Sequence, residues 1–165
     1  MASSRHRYPV EIRWSGRGGD EPWAYRTYSR SYVTCVPGKP DLAGSADPAF
    51  HGDRSRHNPE DLFVAAVSAC HMLTYLALCA FQGIAVLQYR DAASGELRLE
   101  AGRGGRFTSV ELRPTVTVAD GADLELAERL HARAHRECFI ANSCAVAIRC
   151  HPTVSRKSAG PGGRQ

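Results

Sequence analysis

Asn58-Pro59-Glu60-Asp61-Leu62-Phe63-Val64-Ala65-Ala66-Val67-Ser68-Ala69-Cys70-His71-Met72-Leu73 opens an apolar run that continues to Phe81 and stops at Gly83. The order of residue types is that of a helix start. Asn58 is a good N-cap, Pro59 suits the first helical position, and Glu60 and Asp61 complement the positive end of the helix dipole. Gly83 supplies the stop. From Leu62 to Phe81 the helix is apolar on nearly every side, and about twenty such residues are long enough to cross a bilayer. Ser68, His71, Thr74 and Tyr75, the many small alanines and the lack of basic flanks favour instead a helix buried within protein, with no membrane partner.

Outward from this helix the pattern turns to strands. On the N-terminal side, Val10-Glu11-Ile12-Arg13-Trp14 alternates apolar and charged residues as a short strand does, and Tyr25 to Val36 is a second candidate. Pro37 to His57 lacks periodicity and reads as a long surface loop. On the C-terminal side, strands are expected at Val86 to Arg90, Glu96 to Ala101 and Thr108 to Val118, with turns at Ser94-Gly95 and Gly102 to Gly105. In the third, Val110, Leu112, Val116 and Val118 share one face, and Pro114 marks an edge or a bulge. A second helix follows Asp120, from about Asp123 to Cys138, with Leu124, Ala127, Leu130, Ala134 and Cys138 at helical spacing. Val146 to Cys150 makes a closing strand. The fold class is therefore α+β, an antiparallel sheet with two main helices. One small sheet cannot cover a helix that is apolar all round, so the sequence predicts a homodimer that packs this helix against its symmetry mate.

The length of 165 residues and 43% hydrophobic composition support one core. The expected organisation is an N-terminal extension over 1–7, a single domain over 8–154 and a disordered tail over 155–165. No apolar segment follows the charged start, so a cytoplasmic location is expected. Six cysteines in such a chain should be mostly reduced. The net charge of +4 comes from dispersed arginines, with lysine only at 39 and 157, and this lacks the concentrated footprint of a nucleic-acid-binding protein.

The cysteines differ in setting. Cys70 lies in the apolar run and reads as a shielded thiol, whereas Cys138 closes the polar stretch His131-Ala132-Arg133-Ala134-His135-Arg136-Glu137 and reads as an accessible one. Such a division suits an attacking thiol and a second thiol that attacks the first, if folding joins them. Cys70 also fits a plain core residue, as do Cys144 and Cys150, which share parity with Val146 and Ile148. Cys79 falls on the opposite helix face from Cys70, about 13 Å along the axis. A competing constellation is a zinc site at His131, His135 and Cys138, which stand at i, i+4 and i+7, with Cys70 as a conceivable fourth ligand.

Asn58 to His71, together with Glu137-Cys138-Phe139-Ile140-Ala141-Asn142-Ser143, resembles the OsmC/Ohr family of osmotically inducible and organic hydroperoxide resistance proteins. The likeness is to the family's NPE…L…AA…AC pattern and its late cysteine segment, and is closer to the general OsmC-like branch than to the Ohr branch. It implies an intertwined α+β homodimer whose buried central helix packs at the interface, with two active sites there. It further implies thiol-dependent reduction of organic hydroperoxides to alcohols, without metal, haem or flavin. By the same resemblance, Cys70 is the peroxidatic thiol, Cys138 the resolving thiol that forms a disulfide with it, and Glu60 the carboxylate that positions an activating arginine. An external dithiol, dihydrolipoyl in family members with an assigned reductant, restores the enzyme. Arg17 stands in the hairpin where the Ohr branch places its arginine, with Arg26 and Arg30 as rivals on the next strand. Phe63, Leu73 and Phe139 would supply apolar walls. A ligand-binding or redox-sensing protein on the same scaffold is the non-enzymatic alternative.

If Glu60 and Cys70 share one unbroken helix, they are separated by about 15 Å of rise. Either the helix starts later than its capping signal, or Glu60 serves the Cys70 of the other subunit.

Overall fold

The Asn58 side chain caps the long helix as its chemistry allows, Oδ1 accepting from the Asp61 N–H at 2.7 Å. In the computed structural model the helix, α1, is unbroken over Pro59–Phe81. It does not start late. Gly83, at φ +70°, ends it in the left-handed conformation that a residue without Cβ adopts freely. The structure describes residues 4–14, 16, 23–101 and 104–157. Arg17 and most of the expected C-terminal tail lie outside them.

The chain divides into two compact units, residues 1–63 and 64–165. The first holds a three-stranded antiparallel sheet of β1 (Glu11–Trp14), β2 (Tyr32–Cys35) and β3 (Leu42–Gly44), in that order. The strand expected over Tyr25 to Val36 is confined to its second half. The N–H groups of Thr27 and Tyr28 both donate to the Ala24 carbonyl, closing a turn before the sheet begins. The expected loop between Pro37 and His57 also carries structure, namely β3 and a short 3-10 turn at Pro48–Phe50 capped by Asp47. Gly44 leaves room for the ring of Tyr32, its partner across the ladder, which a Cβ there would displace.

The second unit holds β4 (Val86–Asp91), β5 (Ser94–Glu100), β6 (Gly104–Leu112), β7 (Pro114–Val118), helix α2 (Leu124–Glu137), β8 (Ala147–Cys150) and β9 (Thr153–Arg156). The strand expected over Thr108 to Val118 is two strands in two sheets, ordered β4-β7-β9 and β5-β6-β8. The break falls at Arg113, whose N–H donates at 2.7 Å to Asp91 Oδ1 rather than to a ladder, and Pro114 has no N–H to continue one. Ser94-Gly95, expected as a turn, begins β5. The sheets are mixed rather than antiparallel, since β8 runs parallel to β6 and β9 parallel to β7. Val146 to Cys150 does not close the fold, because β9 continues through Arg156, inside what the sequence predicts as tail.

Val110, Leu112, Val116 and Val118 are fully buried, as their shared parity predicts. Asp123 caps α2, Oδ1 accepting from the Leu126 N–H at 2.9 Å. Ala127, Leu130 and Ala134 pack with Tyr75, Leu78, Cys79 and Ile84 over Val116 and Val118 to form the core of this unit. The buried positions of α1 are Val67, His71, Tyr75, Leu78 and Cys79, a single stripe at helical spacing. Leu62, Phe63, Val64, Met72 and Leu76 are part-buried, and two large apolar residues stay open to solvent, Leu73 at 63% and Phe81 at 83% exposure. α1 is long and apolar enough to cross a membrane by length and composition, as the core helices of soluble proteins also are.

Candidate active site

Cys138 lies just beyond the last turn of α2, where the chain turns extended and then enters a 3-10 turn at Ala141–Ser143. The turn folds back on it. Asn142 N–H donates to the Cys138 carbonyl at 3.0 Å, and Ala141 N–H approaches its sulfur at 3.5 Å. Cys138 is 1% exposed, while Cys70, in the middle of α1, is part-exposed. The expected assignment of shielded and accessible thiols is therefore reversed. Arg133, Arg136 and Glu137, which precede Cys138, face solvent along α2, but the 3-10 turn folds back on the thiol itself.

The thiols of Cys138 and Cys70 lie close enough to interact. Burial, and next a hydrogen bond with Cys70, push the Cys138 thiol up to about 11, so it is protonated at neutral pH. All six cysteines are free thiols. The Cys70 carbonyl accepts from Thr74 Oγ1 at 2.9 Å, a bond internal to the helix. Of the expected walls in this unit, Leu73 and Phe139 are both exposed. Cys144 and Cys150, expected as core thiols, are part-exposed.

Glu60 belongs to the N-terminal unit and lines a cavity of about 280 Å³ there with Trp14, Tyr28, Arg30, Tyr32 and Phe50. Arg30 is held by its own loop. It donates to the carbonyls of Tyr28 (2.6 Å) and Tyr25, and its guanidinium carbon sits 3.8 Å from the Tyr28 ring centroid, a cation–π contact. Its Nε and Glu60 Oε2 are both buried without a hydrogen-bond partner among the described residues. Burial and, secondarily, the charge of Glu60 raise the Tyr32 hydroxyl above the usual tyrosine range. Arg17 lies outside the described residues, and of its two rivals Arg30 is the one that lines this cavity.

The grouping of His131 with His135 and Cys138 does not form. Among the described residues the metal-competent cluster is His71, His131 and Cys150. His131 turns into the core beside α1, a placement its i+1 relation to Leu130 left unread.

The profile of the family described as OsmC-like protein matches residues 51–152. An OsmC-like protein of unknown function from Vibrio cholerae O1 biovar eltor is 30% identical, with a TM-score of 0.82, over 90% of this chain and all of that one. Two more distant structures share the fold. One is an organic hydroperoxide resistance protein OsmC from Legionella pneumophila (19% identity, TM-score 0.67, 93% and 99% of the two chains). The other is an organic hydroperoxide resistance protein from Elizabethkingia anophelis (19%, 0.68, 94% and 100%). No curated protein matches the chain.

Proposed function

The chain belongs to the OsmC-like family, and from that membership we propose that it is a thiol peroxidase that reduces organic hydroperoxides to alcohols. The observation that carries the proposal is the neighbouring pair of free thiols, Cys70 and Cys138. The Cys70 thiolate attacks the distal peroxide oxygen, the O–O bond breaks, and the alkoxide leaves and takes a proton as alcohol. The Cys138 sulfur then attacks the sulfenic acid, water leaves, and a Cys70–Cys138 disulfide remains. An external dithiol of dihydrolipoyl type reduces the disulfide and returns both thiols. A protonated Cys138 is suited to this order, because it keeps its proton beside Cys70 at rest and loses it only when resolution begins. The part-exposed Cys70 is open to substrate, and a cytoplasmic setting would keep the pair reduced.

Activation of Cys70 requires a cation, which the middle of a helix does not supply. Arg30, positioned in one cavity with Glu60, is the arginine we assign to this role. Because α1 is unbroken from Pro59, the ten residues from Glu60 to Cys70 rise about 15 Å. We therefore assign Glu60 and Arg30 to the Cys70 of the second subunit of a homodimer. Apolar side chains left open on the chain, Leu73 and Phe139 among them, favour alkyl over hydrogen peroxide.

Cumene hydroperoxide added to the reduced protein should remove two thiols per chain and yield a Cys70–Cys138 disulfide by peptide mapping, with turnover once dihydrolipoamide is supplied. Retention of all six free thiols under excess peroxide would overturn the enzymatic reading in favour of a binding or sensing role.

A further inference from the structure

We propose that His71, His131 and Cys150 form a second, independent site, one that binds a zinc-class transition-metal ion and ties α1, α2 and β8 together. His71 Nε2 lies 3.1 Å from His131 Nδ1 and 3.5 Å from Cys150 Sγ, and all three ligand atoms are within 4.8 Å of one another. In a tetrahedral zinc site with ordinary bond lengths, the corresponding edges are about 3.3 Å between nitrogens and about 3.6 Å between nitrogen and sulfur. The observed edges match both.

Both histidines are core residues. They are 1% and 2% exposed, and His71 Nδ1 and His131 Nε2 are buried without a partner among the described residues. A neutral pair shares one proton between the facing nitrogens, and whichever ring supplies it, the other end of the pair keeps a buried N–H with no acceptor. Neutral imidazole is the form a metal takes. The surroundings suit a cation. Asp91, fixed by Ser68 Oγ at 2.6 Å and the Arg113 N–H at 2.7 Å, exerts its negative charge on both His71 and Cys150. Part-exposed Cys150 provides the entry side.

The rings are nearly parallel, 10° apart with centroids at 5.4 Å, so their facing nitrogens meet across the shared proton. Binding replaces that proton by the ion. The rings tilt to aim both lone pairs at it, and the shared proton moves to an outer nitrogen. The Cys150 thiol loses its proton to solvent, and a fourth position is left to water. One proton is released per ion bound, and no electron changes hands. Borderline-soft ions that accept both imidazole and thiolate, with zinc foremost, fit this donor set.

The test uses the full chain carrying Cys70→Ser and Cys138→Ser, so that the thiol pair of the proposed peroxidase contributes nothing and the outcome is independent of that activity. Reduced, chelator-stripped protein is titrated with Co2+. The expected result is one equivalent bound, with a thiolate-to-cobalt charge-transfer band, visible bands of tetrahedral intensity, and displacement by Zn2+. Adding Cys150→Ser should abolish the charge-transfer band and weaken Zn2+ binding beyond the 10–100-fold typical of an outer-shell change. Release of one proton, read by calorimetry in two buffers, should vanish with it. His131→Gln should lose binding too, with circular dichroism reporting its folding; if it does not fold, the conservative Cys150→Ser variant decides alone. Absence of a cobalt band at stoichiometric protein, or a band unchanged by Cys150→Ser, would overturn the proposal.

Discussion

At the scale of single residues, Cys138 carries the most readable consequence. Its folded value, near 11, stands above the ordinary thiol value of 9.0, so the folded state holds this proton more tightly than the unfolded chain. The contribution to stability is complete below about pH 9 and is lost as pH rises toward 11. Denaturant midpoints should therefore fall between pH 8.5 and 10.5 in the parent, and fall less in Cys138→Ala. For the chemistry, Cys138→Ser should still reduce about one equivalent of hydroperoxide in a single turnover and leave Cys70 as a sulfenic acid that dimedone traps. Cys70→Ser should show no peroxide-dependent thiol loss at all. Arg30→Met, which keeps much of the stem but removes the charge, should slow Cys70 oxidation by about two orders of magnitude, the size typical of losing one preorganised charged group. Stopped-flow oxidation kinetics would show this while a normal far-ultraviolet spectrum excluded misfolding.

At the scale of elements, the caps carry what the sequence announces. Asn58→Ala removes the acceptor for the Asp61 N–H and should cost about 1 kcal/mol, visible as a lowered thermal midpoint. Both helices were legible because their signals are local. Asn58 and Pro59 start α1, Asp123 starts α2, and the apolar spacing predicts Ala127, Leu130 and Ala134 in the core. The strands were legible only where alternation decided them, as in Val110 to Val118. Arg113 shows why the rest was not. Its N–H is claimed by Asp91, 22 residues away, and no local pattern announces that a strand ends there to restart in another sheet. β3 and β9 were missed for the same reason, since each is three or four residues long and exists through a partner. In the candidate site, the motif located Cys70, Cys138 and Glu60. Which thiol is covered depends on the 3-10 turn at Ala141–Ser143, and which arginine joins Glu60 depends on the loop carbonyls of Tyr25 and Tyr28; both are matters of tertiary folding.

At the scale of the whole molecule, α1 buries one stripe and leaves Leu73 and Phe81 in solvent, an arrangement that a second copy would relieve. Leu73→Glu should shift the sedimentation coefficient from dimer to monomer and abolish activity along with it, if the sites are shared. Sharing has its own test. Heterodimers of a Glu60→Ala chain and a Cys70→Ser chain should regain up to half the activity per dimer, because one site then combines an intact Glu60 with the intact Cys70 of the other subunit. Activity no higher than that of the two single mutants would place Glu60 and Cys70 in the same chain. The parallel pairing of β8 with β6 and β9 with β7 bears on how the protein comes into being. β8 and β9, each an edge strand of its own sheet, both follow α2 and are joined by only His151 and Pro152. During synthesis on a ribosome, β6 and β7 emerge long before their partners and wait with one edge each unpaired while the chain is still tethered. Completion of both sheets thus waits until the chain beyond α2 has been made, and a product cut short just after α2 would leave one edge each of β6 and β7 open, a substrate for chaperones and proteases.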